Sequence, residues 1–152
     1  MKFLGQVLIL IIFVATLSES KIYTSCEFAQ TLIDYGLVSS SDPELRFKLG
    51  NWVCLAYHES LLNTAATNNN TNGSRDYGIF QINNYYWCDS GFGYNECSMP
   101  CSDLLTDDIR DATNCAKLIY RVQGFFAWYG WIYNCRAQTE TAIENWVKSC
   151  HF

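Results

Sequence analysis

Apolar residues recur at helical spacing from Cys26 to Tyr35, where Phe28, Ala29, Leu32 and Ile33 fall on one face and Gly36 offers a stop. A second helix is predicted from Ser41-Asp42-Pro43-Glu44, with the proline suited to a first turn. Leu45, Leu49, Trp52, Val53, Ala56 and Tyr57 share a stripe, which predicts an amphipathic helix at the centre of the fold. Between Asn63 and Asn84 the pattern changes. Asn, Gly, Ser and Asp dominate, Asn72-Gly73 signals a hairpin turn, and Tyr77 to Ile82 reads as a short strand. Residues 85–105 hold three cysteines, two glycines and a proline, the composition of a pinned loop. Thr106 is placed to cap a third helix, with Asp107 and Asp108 suiting its positive end and Ile109, Ala112, Ala116 and Ile119 facing inward. A short aromatic segment, Phe125 to Trp131, precedes a mostly irregular C-terminus. These elements predict an α+β fold: a helical body with a small antiparallel β-lobe inserted after the second helix, and a cleft between them.

Residues 1–20 stand apart from this pattern. Lys2 supplies a positive start, Phe3 to Leu17 is almost wholly apolar, and Ser18 and Ser20 are small residues at the cleavage positions of a signal peptide. The expected organisation is a signal peptide over 1–20 and one domain over 21–152, secreted to the extracellular space. All eight cysteines lie in that domain, and an even number in a secreted chain reads as four disulfides. Spacing leaves their pairing open. Cys97 and Cys101 resemble half of a zinc site, but His58 and His151 lack ligand spacing, so no metal is expected. The net charge of −5 argues against nucleic acid and against binding to anionic membranes. No phosphate loop, other cofactor motif or repeat appears, and a monomer without cofactors is expected.

Two carboxyls carry the candidate chemistry. Glu59 ends the apolar stripe near a helix C-terminus, where burial and the helix dipole both disfavour its charged form. A carboxyl that keeps its proton near neutrality can serve as general acid. Asp76 sits among polar residues, and Asn70, Ser74 and Asn83 are near enough in sequence to hydrogen-bond its carboxylate.

The runs that end in His58-Glu59-Ser60 and span Asn72 to Asn83 resemble the c-type lysozymes. So do Tyr86-Trp87-Cys88, Cys97 to Cys101, Leu104 to Ile109 and Ala127 to Trp131, all in family order. The resemblance covers essentially all of residues 21–152. It implies disulfides Cys26–Cys150, Cys54–Cys135, Cys88–Cys101 and Cys97–Cys115. It also implies a glycoside hydrolase that cleaves the β-1,4 bond between N-acetylmuramic acid and N-acetylglucosamine in peptidoglycan. Glu59 would then be the acid and Asp76 the nucleophile or electrostatic partner of a retaining mechanism. Trp128 is expected to pack over Glu59, and a lysozyme of this family is itself the standard case of a carboxyl raised by such packing. Tyr86 and Trp87 are expected as stacking platforms, with Asn70, Gln81, Asn83 and the backbone of Ala127 as polar contacts.

The chain departs from the family in places. Many members carry tryptophan at Tyr86, and Tyr120 to Gly124 matches poorly, which leaves the outer sugar subsites undefined. Calcium-binding relatives place carboxylates where Thr106 and Ala112 stand here, leaving only Asp111. The alternative of a non-catalytic, α-lactalbumin-like or sugar-binding protein is disfavoured by retention of both Glu59 and Asp76. A membrane-disrupting antimicrobial is disfavoured by the acidic charge. Relatives adapted to digestion share that charge, so a digestive member, insect-like, is expected.

Overall fold

Thr24 opens the first helix by accepting the Glu27 amide on its hydroxyl, and α1 runs Ser25–Asp34. Gly36 follows at φ 69°, a left-handed step that glycine takes without strain. The structure, a computed structural model, describes residues 20–152; the expected leader otherwise lies outside the described residues. The second helix, α2, spans Leu45–Ser60. It starts after Pro43 because Asp42 accepts both the Glu44 amide and the Lys48 ammonium, holding a turn ahead of the helix.

α2 is not amphipathic. Every residue from Leu49 to Ala56 is buried, so the stripe read in the sequence is one side of a helix covered all round. Tyr57, assigned to that stripe, is 41% exposed. Three helices surround α2: α1, α4 (Tyr129–Asn134) and α5 (Glu140–Glu144). At Gly50 a Cβ would run into the Ile143 carbonyl, so the glycine is what lets α5 approach.

The expected strand from Tyr77 to Ile82 is instead a turn between two strands. β1 (Thr67–Asn69), β2 (Arg75–Tyr77) and β3 (Ile82–Asn83) form an antiparallel sheet in the order β1-β2-β3. The chain reverses through Gly78 at φ 74° and Gln81 at φ 48°. Periodicity missed this because Ile79 and Phe80, which look like strand interior, are fully buried turn residues packed toward the helical body.

Residues 85–105 form the pinned loop expected, closed by a 3-10 turn at Cys101–Leu105. The third helix, α3, spans Arg110–Gln123 and is not capped by Thr106. The Thr106 hydroxyl donates to the carbonyls of Asp103 and Asp108, while the Asp108 carboxylate takes the Arg110 amide. The inward face is as predicted: Ile109, Ala112, Ala116 and Ile119 are buried. The C-terminus is more ordered than its pattern suggests, with 3-10 turns at Gly124–Ala127 and Asn145–Val147 around α4 and α5. Thr139 caps α5 by accepting the Ala142 amide. These helices are short, below the length at which periodicity is legible.

Four disulfides join Cys26 to Cys150, Cys54 to Cys135, Cys88 to Cys101 and Cys97 to Cys115, the pairing the resemblance implies. They also use the sulfurs a metal would need. Among the described residues the one Cys/His grouping within ligand reach is Cys54, His58 and Cys135, and both its sulfurs are bridged. No helix among the described residues is long and apolar enough to cross a membrane.

Candidate active site

The sheet register sets the first half of the site. Asp76 lies on the middle strand, paired with Asn68 on β1 and Asn83 on β3. The Asn83 amide donates to Asp76 Oδ1 at 2.6 Å and the Asn70 amide donates to Oδ2 at 2.9 Å. A longer contact of 3.5 Å comes from Asn68. Ser74 was expected to reach the carboxylate and does not. Its buried hydroxyl accepts from both Asn70, at 3.1 Å, and Asn83, at 2.9 Å, and donates to Asn72. The serine thus fixes the two amides that hold Asp76, and the carboxylate is preorganised through its neighbours.

Glu59 comes from the other side, in the last turn of α2. Its Oε1 accepts the Gly130 amide at 2.7 Å, a bond from the start of α4. A Cβ at position 130 would press on that oxygen, so the glycine keeps the carboxyl's place open. Burial pushes the Glu59 pKa up from 4.5 to about 6; the Gly130 hydrogen bond opposes the rise and the nearby Asp76 charge adds to it. Ser60, the next residue, is buried and donates to the carbonyls of Ala56 and Ile79. That hydroxyl ties the end of α2 to the turn between β2 and β3, and so links the elements that carry the two acids.

All nine expected site residues line one cleft of about 800 Å³: Glu59, Asp76, Asn70, Gln81, Asn83, Tyr86, Trp87, Ala127 and Trp128. They differ in what they can offer. Tyr86 is 52% exposed and leaves ring surface open to solvent, whereas Trp87 is 9% exposed and contributes mainly packing. The Gln81 amide nitrogen is spent on the carbonyls of Ala66 and Gly78, so this side chain braces the turn and has only its oxygen left for a ligand. Trp128 is buried, donates to the Phe80 carbonyl at 2.8 Å and meets Trp52 edge-on. It holds the helical wall of the cleft against the sheet turn.

Tyr85, Tyr129, Gln123 and Ile119 also line the cleft and were not anticipated. Nor was Gly130, whose role is a backbone amide that no side-chain pattern announces. Asn72, the second of two glycosylation sequons with Asn69, lines the cleft and accepts from the Ser74 amide and hydroxyl.

Comparison with known proteins agrees with this geometry. The model of the C-type lysozyme/alpha-lactalbumin family matches residues 21–150. The chain is 48% identical over 150 residues to lysozyme c-1 of Anopheles gambiae, covering 99% of each chain. It is 44% identical over 153 residues to lysozyme-like protein 1 of Mus musculus, covering 99% of this chain and 98% of that one. The crystal structure of a lysozyme from Litopenaeus vannamei superposes with a TM-score of 0.74 at 40% identity, covering 87% of this chain and 98% of that chain.

Proposed function

The chain belongs to the C-type lysozyme/alpha-lactalbumin family and is an enzyme of the lysozyme kind, and we propose that it cleaves the β-1,4 bond between N-acetylmuramic acid and N-acetylglucosamine in peptidoglycan with retention. One observation carries the reading: a half-buried Glu59 shares a cleft with an Asp76 held by two amide donors.

Glu59, protonated up to about pH 6, gives its proton to the glycosidic oxygen as the bond to the anomeric carbon breaks. The Asp76 carboxylate takes the positive charge that develops there, bonding to the carbon or facing it. Water then bonds to the anomeric carbon and releases Asp76 as a carboxylate, while Glu59, now a carboxylate, takes the water's proton and is restored. The Asn70 and Asn83 amides keep Asp76 in place through both steps.

Glu59→Gln removes the proton and should cost at least about a hundredfold in turnover, since positioned acids contribute roughly 10²–10⁴-fold. Peptidoglycan clearing by that variant at more than about a tenth of the parent rate would remove Glu59 from the acid's role. Retention is read by NMR from the anomer released first, and the inverted anomer would exclude Asp76 as nucleophile.

The rest of the proposal concerns setting. Residues 1–20 are a leader removed ahead of Lys21, which delivers the chain to an oxidising compartment where four disulfides persist. The mature protein works extracellularly as a monomer and without a cofactor. Its net charge of −5 is repelled by anionic walls at neutral pH, which suits an acidic digestive setting better than defence. A maximum at or above neutral pH in low-salt buffer would refute the digestive role alone.

A further inference from the structure

A group of aromatic rings starts in the cleft and continues beyond it. Tyr85 is its hub, meeting Tyr86, Phe92 and Tyr94 edge-on with centroids 4.6, 5.6 and 6.4 Å away. Tyr86 and Tyr94 lie within 9° of parallel, 6.4 Å apart. Tyr85 and Tyr86 line the cleft, whereas Phe92 and Tyr94 stand outside it. None of the four is buried; Phe92 is 42% and Tyr94 62% exposed.

The loop that carries them does not depend on these rings for its shape. Tyr94, Glu96 and Cys97 donate their amides to the carbonyls of Tyr85, Tyr86 and Trp87, at 2.8, 3.0 and 2.9 Å. Gly93, at φ 78°, lies so close to the Tyr85 backbone that a Cβ there would collide with it. Two disulfides, Cys88–Cys101 and Cys97–Cys115, close the base. Apolar ring surface left in water by a loop already fixed is surface available to a ligand, and little freedom remains to be lost when one binds.

We propose that Phe92 and Tyr94 extend the cleft as a stacking platform for one further pyranose of the same β-1,4 glycan, specifically a neutral N-acetylglucosamine unit. The inference rests on the glycosidase reading above and adds residues that reading does not use. Continuity identifies the occupant, since Tyr85 and Tyr86 belong to both the cleft and the platform. A pyranose lays its C–H face on an aromatic ring and leaves its hydroxyls in water, which suits rings that are half exposed. Charge narrows the class. From Asp76 to Ile109 there is no Lys, Arg or His, while Asp89 and Glu96 lie in the loop itself, so an anionic ligand is repelled and a neutral sugar is not.

The test measures binding of N-acetylglucosamine oligomers of increasing length by calorimetry, in a Glu59→Gln background that does not turn them over. Tyr94→Ala should leave the shortest oligomers unaffected and weaken the longest by about five- to tenfold, the effect of uncovering roughly 50 Å² of apolar surface. Tyr94→Phe should restore the affinity. A loss equal at every length, or none at any length, overturns the platform. If the background protein bound no oligomer at all, the glycosidase reading would fall and the platform with it. Should Tyr94→Ala melt early, Phe92→Ala supplies the same length comparison.

Discussion

Replacing Glu59 by glutamine should stabilise the protein at neutral pH while destroying its activity, and the size of the effect follows from the site. In the folded chain Glu59 holds its proton up to about pH 6, against an ordinary value of 4.5. At about 1.4 kcal/mol per pH unit, that difference is worth about 2 kcal/mol. The sign follows from linkage. A carboxyl whose pKa rises on folding favours the folded state below pH 4.5, where it is protonated in both states, and that contribution is lost as pH rises through 6. Glutamine keeps an oxygen for the Gly130 amide and has no charge to bury. The stability of Glu59→Gln relative to the parent should therefore grow by about 2 kcal/mol between pH 3.5 and 7.5, or about 6 °C or more in midpoint. Urea unfolding of both proteins with disulfides intact measures it. Only the pH dependence of the difference matters, so any constant cost of fitting the amide cancels. Two stability curves that stay parallel across that range would refute the burial argument for Glu59.

Three further outcomes can be checked. The logarithm of kcat/KM on a soluble oligosaccharide should fall with slope −1 above about pH 6, as Glu59 loses its proton; a flat profile to pH 8 would contradict this. Asn83→Leu removes a donor from both Asp76 and Ser74 and should lower kcat about ten- to hundredfold, as expected for a hydrogen bond to a charged group. A loss confined to KM or to thermal stability would give Asn83 another role. Ser60→Ala leaves the Ile79 carbonyl without its buried donor and should cost about 1–3 kcal/mol in denaturant unfolding; an unchanged midpoint would mean that the tie between helix and turn is idle.

How much was legible in the sequence depended on the length over which each signal acts. α1, α2 and α3 announce themselves through several turns of pattern, and Glu59 and Asp76 through local motifs. The surroundings of α2 were not legible, because burial on all sides comes from α4 and α5, which are too short to show a period. The split of residues 77–82 was hidden for the opposite reason: its apolar run is genuine but packs as a turn, made possible by Gly78 and a left-handed Gln81. In the site, the two acids and the amides beside Asp76 were legible, whereas Tyr85, Tyr129 and the Gly130 amide were not. Gly130 acts through an amide, and Ser74 acts one bond further from Asp76 than its place in sequence suggests.

The pairing of the disulfides has a consequence for how the cleft can move. Cys26, Cys54, Cys135 and Cys150 pair only among themselves, and so do Cys88, Cys97, Cys101 and Cys115. As a covalent network the chain is two closed circuits joined by two single threads, residues 55–87 and 116–134. Glu59 and Asp76 both lie on the first thread, and Gly130 and Trp128 on the second, so no cross-link fixes the gape between the acids. The width of the cleft is left to noncovalent ties such as Ser60 to Ile79 and Trp128 to Phe80. Each circuit resists unfolding, while the opening between them stays a soft coordinate along which a long polymer can enter and a cut one can leave.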